Sequence, residues 1–155
     1  MTIWRIAAIS SQIALVLYWE ITEYINLFPW NDVATLNIRT QIRDSLVNDL
    51  PKLLFIYAFF KEIRWLMGLS IGFYTLWLAA ILNQWLVPYL FGSAPLGRGI
   101  SAEQHMQQYE RLFSRTYKFL PPIDNHPIPD AQHVTLAVLS LITLICVTVA
   151  FLKEG

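Results

Sequence analysis

Two pairs of ionisable residues have the spacing that shared chemistry requires. Glu20 and Glu23 stand three apart in one apolar stretch, and Asp130 and His133 stand three apart at the head of another, so each pair occupies one face of a helix. Asp49 precedes a further apolar stretch, and His126 lies in the proline-rich segment before Asp130. Carboxylates and imidazoles on facing helices are how bundle interiors build metal sites, so Glu20, Glu23, Asp130 and His133 form the candidate set for a metal ion. The Glu-x-x-His pairs of di-iron bundles are absent, and the cofactor is unspecified beyond that. The positive end of a helix disfavours imidazolium, which suits a first-turn His133 to serve as ligand, base or hydrogen-bond acceptor. Each residue also has a plainer role: Asp130 as a helix cap, His126 as a turn residue between Asn125 and Pro127, and the glutamates as interface groups. No Ser-His-Asp elbow, Gly-rich phosphate loop, Cys-x-x-Cys pair or His-Glu-x-x-His motif occurs, so the sequence supports no hydrolase, nucleotide, redox or zinc-protease reading and the reaction stays unassigned.

The elements that must position these residues read as an all-α integral membrane protein. With 55% hydrophobic and 14% charged residues among 155, the chain is too apolar for a soluble domain of its size. The expected organisation is a single membrane domain with four transmembrane helices, at 3–27, 50–63, 65–91 and 133–152, and one or two amphipathic interfacial helices on one face, at 36–48 and 102–118. A proline-rich cap occupies 119–132. The balance of 11 basic and 11 acidic residues lacks the clustered basic face that nucleic acid needs as a partner. The lone Cys146 has no intrachain disulfide partner.

Let the face on which the chain starts be A and the opposite face B. The first span carries Glu20 and Glu23 to face B among Tyr18, Trp19, Tyr24, Phe28 and Trp30, an aromatic belt. Leu36, Ile38, Ile42, Leu46 and Leu50 then recur at a rough four-residue period, which predicts a surface helix on face B. Asp49 followed by Pro51 predicts a new helix start, whose short apolar core from Leu53 to Phe60 must recruit Lys52 and Lys61 by snorkelling. Trp65 to Gly97 and Val134 to Leu152 contain no charge, so spans three and four are the firmest. Along span three Gly68, Gly72, Thr75 and Ala79 form a stripe of small residues at which another helix can approach, first of all one of this chain's own. Gly92 to Gly99 reads as a flexible hinge. Ser101 and Gln104 form a capping box for an amphipathic helix with Met106, Tyr109, Phe113 and Tyr117 on one side. Arg111, Arg115 and Lys118 on the other side are candidates for lipid phosphate or anion contact. Tyr117 to His133 holds four prolines, which forbid a regular helix and predict a stiff extended cap.

Spans one and three end at face B, and spans two and four begin there, so their polar ends are expected to meet in one pocket. That direction argument joins Glu20, Glu23, Asp49, Asp130, His133 and His126. Four crossings return both termini to face A. Lys and Arg number four on A and seven on B, which favours B inside, whereas the charges flanking the first span and the basic 61–64 turn favour A; we expect face A to be cytoplasmic. The expected partners are the lipid bilayer and another membrane subunit or a second copy of the chain. The function expected is docking of a partner, lipid or subunit at the ordered face-B cap, the alternative being a membrane enzyme or metal-binding protein that uses the Glu/Asp/His cluster.

Overall fold

The computed structural model describes residues 1–34 and 36–154, and it is all-helical there, with no strand. The helices are α1 (Ile3–Tyr24), α2 (Ile38–Lys61), α3 (Arg64–Phe91), the short α4 (Ala102–Phe113) and α5 (Ala131–Lys153). The four long ones form a ring in which α5 packs on α1 and α3, and α2 closes the circle between them. Neighbours run antiparallel. At face A the first turn of α1 meets the ends of α2 and α5: Arg5 pairs with Glu62 and lies 3.6 Å from Glu154, and Thr2 is hydrogen-bonded to Glu154.

Two of the four expected spans satisfy length and composition outright. α3 and α5 are each long and apolar enough to cross a membrane, whereas α1 and α2 are not. The reason lies in their polar residues: Arg5, Ser10, Ser11, Gln12 and Glu20 interrupt α1, and charges from Arg39 to Lys52 fill the first half of α2. Some of those polar groups face inward, whereas Ser10, Arg39 and Arg43 are exposed. Gln12, Lys52, Ser70, Ser140 and Thr143 are fully buried, while Ile13 and Leu17 of α1, Leu54 and Tyr57 of α2, Leu69 and Leu76 of α3 and Ile142 and Ile145 of α5 are exposed. Inside the ring Gln12 donates to Ala8 O at 3.0 Å and accepts from Tyr74 Oη at 3.2 Å, and Trp77 Nε1 donates to Ser140 Oγ at 3.2 Å.

Several boundaries differ from the sequence expectation. The surface helix and second span are one continuous helix, α2, with Pro51 inside it. A proline removes one donor and disfavours its preceding turn, and the flanking turns hold the helix through that loss. Asp49 caps nothing; its Oδ1 accepts from Lys52 Nζ at 2.9 Å. Lys52 does not snorkel either. It is 0% exposed, with its ammonium 4.1 Å from the Trp77 ring centroid and 5.3 Å from that of Trp19. The Lys52 ammonium therefore lies inside the ring and not at the interface to which snorkelling would have carried it. α4 stops at Phe113, where Lys118 Nζ returns to cap it by donating to the carbonyls of Phe113, Ser114 and Thr116. Lys118 is thereby committed to its own chain, with burial pushing its ammonium down from its ordinary value.

The glycines invert the expected pattern. A Cβ at Gly68 would sit 3.4 Å from the Phe151 ring, but one at Gly72 would meet nothing within 4 Å, and Thr75 and Ala79 are exposed beside it. Gly92 ends α3 with a φ of +62°, and a Cβ there would fall 2.5 Å from His126 Nε2. The expected hinge thus begins at a tightly packed cap. Gly92→Ala should destabilise the monomer by about 1–3 kcal/mol through backbone strain, with the His126 contact added, whereas Gly72→Leu should stay within about 0.5 kcal/mol. Thermal unfolding of both variants in detergent checks this, and equal effects would refute the assignment of Gly92 to a closed contact.

Candidate functional site

The proline-rich segment is a clamped cap over the face-B ends of the helices. Tyr117 N donates to Pro29 O and Ala131 N to Tyr117 O, both at 2.7 Å, which ties the cap to the α1–α2 connection. Trp30 Nε1 donates to Tyr18 Oη, and that hydroxyl donates on to Gln132 O, each at 3.0 Å. Tyr89 Oη holds Pro121 O at 2.9 Å, and His126 Nδ1 meets Tyr89 O at 2.9 Å. Asn31, fully buried, locks the other side with bonds from Nδ2 to Thr22 O and Ile25 O at 2.6 and 2.9 Å. Hydrogen bonds of this kind explain how a segment without helix or sheet is nonetheless ordered.

At the face-B mouth of the ring, between α4, the α1–α2 connection and the first turns of α5, lies a half-open chamber of 480 Å³. Its aromatic walls are Trp19, Trp77, Trp85, Tyr109 and Phe113, and its polar groups include Glu23, Gln84, Arg98, His105 and His133. α4 is the element that closes it. The Ser101–Gln104 capping box fixes the start of α4, with Gln104 N to Ser101 Oγ at 3.1 Å and Ser101 N to Gln104 Oε1 at 3.0 Å. The Phe113 ring then lands edge-on against Trp85 at 4.9 Å.

On the chamber wall Asp130 and His133 form a fixed pair. Asp130 caps α5 by accepting from His133 N at 3.0 Å, and the same Oδ1 stands 2.6 Å from His133 Nδ1. Thr116 Oγ1 donates to its other oxygen at 3.1 Å. Burial alone would raise the Asp130 carboxyl, but the charge and hydrogen bonds of His133, with Thr116 behind them, hold it below the usual carboxylate range. An ionised carboxylate only accepts, so Nδ1 carries the proton. The ring lies over Trp85, with centroids 3.9 Å apart.

No protein family, curated protein or solved structure matches this chain.

The site must therefore be judged on its own residues. The face-B carboxylates and imidazoles fall into separate groups. Glu23 and His133 line the same chamber, but Glu20 turns toward Asp49, Ser45 and Lys52 inside the ring, with its Oε1 buried and without a hydrogen-bond partner. Asp130 is taken up by His133 and Thr116, and His126 stands apart against the end of α3. Among the described residues, no group of three His, Cys, Asp or Glu side chains is placed to hold a metal ion. Of the basic candidates, Arg115 pairs with Asp32 at 2.9 Å, and Arg111 is exposed.

The residue that sequence reasoning missed is His105. It is 5% exposed, it lines the chamber, and among the described residues neither ring nitrogen has a partner. Burial, with the charge of Arg98 beside it, lowers its ring below the ordinary histidine value, so it is neutral at pH 7. The available signal was the spacing of His105, Tyr109 and Phe113, which puts all three on one helical stripe.

Proposed function

We propose that this is a four-span membrane protein that holds the polar end of an amphipathic, lipid-soluble ligand in the chamber at the face-B mouth of its ring. The observation that carries this is the chamber itself: 480 Å³ falls in the range of small-ligand pockets, and its walls set five aromatic rings beside a polar side that includes Glu23, Gln84, Arg98, His105 and His133. The four-span reading draws its support from the inside-out pattern of the ring. α1 and α2 fall short as spans on composition, but their outer faces carry Ile13, Leu17, Leu54 and Tyr57 while Gln12, Asp49 and Lys52 are buried. At 1.5 Å per residue, helices of 22 to 28 residues are about 33–42 Å long, enough for a ~30 Å hydrocarbon core.

Two measurements test the proposal. In Cys146→Ser protein, Lys61→Cys should be labelled from the same side as a C-terminal tag and Glu103→Cys from the other; labelling of residue 61 and the tag from opposite sides would refute four spans. Solvent extraction of protein purified in detergent should release a stoichiometric lipophilic molecule. Ala80→Trp, which fills the chamber wall, should lose that molecule while the melting temperature is kept. Equal retention by the filled variant would refute the chamber as the binding site.

The alternative, acid–base chemistry, is favoured by one observation. Asp130 accepts from His133 Nδ1 and so fixes the ring on the chamber wall with Nε2 outside that bond. A carboxylate that orients an imidazole is the arrangement general bases use. Under this reading His133→Gln abolishes turnover of the bound molecule without releasing it.

A further inference from the structure

Inside the ring, three ionisable groups meet where apolar packing is the rule. Lys52 is 0% exposed and Asp49 7%, and the ammonium lies 2.9 Å from Asp49 Oδ1 and 4.1 Å from the centroid of the Trp77 ring. Glu20 of α1 turns toward the same pair, and its Oε1 is buried without a hydrogen-bond partner among the described residues. Two carboxyl groups thus face one ammonium, and when both are ionised one negative charge is left over. The surrounding elements do not cancel it. Among the described residues Lys52 is the one cation that faces Glu20. Glu23, one turn on along α1, adds a further carboxyl, and Asp44 of α2 is paired with Arg43 at 2.9 Å. α3 presents the Tyr74 hydroxyl, which donates to Gln12 at 3.2 Å, and α5 has no charged residue from Val134 to Leu152. An ionised carboxylate only accepts hydrogen bonds, so Glu20 and Asp49 cannot satisfy each other while both are charged. Two carboxyl groups in one buried site resolve this by holding a proton between them, the O–H of one donating to the oxygen of the other.

We infer that the carboxyl groups of Glu20 and Asp49 form a proton-binding site inside the ring, with one proton shared between them and the remaining negative charge balanced by Lys52. A metal ion is disfavoured there because the ammonium already holds the cation position beside Asp49. Glu23 lines the chamber and stands one helical turn from Glu20, so it is the group through which the site exchanges with water. The proton leaves Glu20 for the Glu23 carboxylate and passes from there to water at the chamber mouth, with no other bond changed. The site holds its proton whether or not the chamber takes a ligand.

Infrared spectroscopy of the full-length protein in phospholipid nanodiscs reads the site directly, because a protonated carboxyl group has a C=O band that ionised carboxylates lack. The comparison is made in a Glu23→Gln background, so that the third carboxyl of this region contributes nothing. An acid band that shifts in deuterated water is expected there at neutral pH. It should be lost on adding either Glu20→Gln or Asp49→Asn, since each leaves one carboxylate to one ammonium, and either variant suffices should the other fail to fold. Absence of the band from the Glu23→Gln protein, or its survival in a folded Glu20→Gln or Asp49→Asn variant, would overturn the proton site. Loss of the band when sodium chloride replaces choline chloride would also overturn it, by assigning the position to a metal cation. Glu23→Gln should slow the entry of deuterium into the band several-fold relative to wild type, and equal rates would overturn Glu23 as the exchange route. Ala80→Trp should keep the band even where it loses the lipophilic molecule, so failure of the chamber as a ligand site and failure of the proton site are read separately.

Discussion

Lys52→Met is expected to lower the stability of the protein by about 3–5 kcal/mol, because it strands the Asp49 carboxylate inside the ring without its partner. The ammonium is 0% exposed, bonds Asp49 at 2.9 Å and sits over the Trp77 ring, so no water is at hand to take its place. The cost lies in the uncompensated charge more than in the lost contact. Removing both partners together, Asp49→Leu with Lys52→Met, should therefore recover most of the loss, since well-packed apolar replacements of a buried pair are often neutral or better. Thermal unfolding in detergent across the four members of this cycle measures the coupling. Additive single losses would mean that Lys52 acts on Glu20 or the tryptophans rather than on Asp49. Glu20 lies against the same pair, so two carboxylates share one ammonium. That arrangement makes the ring interior dependent on a single cation.

How far the sequence disclosed this architecture depended on whether a signal was local. The capping box at Ser101 and Gln104 and the Asp130 cap of α5 were legible because capping is decided within four residues. The charge-free stretches that became α3 and α5 were legible for the same reason. Pro51 was misread because its local preference for a helix start was overridden by the packing of α2 on α1 and α3. Lys52 was misread because a long side chain can turn toward either lipid or interior, and only the positions of Asp49, Trp19 and Trp77 in space decide which. The face-B pocket was half legible. Helix direction brings Glu23 and His133 to one chamber, but helix rotation sends Glu20 to the ring interior, and rotation is set by the exposed apolar face of α1, which no pair spacing reveals.

Asp130→Ala should cost about 3 kcal/mol, the combined loss of a helix cap and of a buried charged acceptor, and Asp130→Asn less, since an amide still caps. The pH dependence gives the sharper result. His133 and Thr116 hold the Asp130 carboxyl below its ordinary value against the opposing effect of burial. A group whose folded value is depressed contributes stability above its unfolded value, about 3.9 for aspartate, and loses it as the pH falls through the folded value. The stability difference between wild type and D130N should accordingly be constant from neutral pH to about 5 and should shrink only below about 4. Shrinkage already between pH 7 and 5 would show that the Asp130 carboxyl is not held below its ordinary value. The distinction matters for the chamber. While Asp130 stays ionised, Nδ1 must be its donor, so the His133 ring is held in one orientation on the chamber wall.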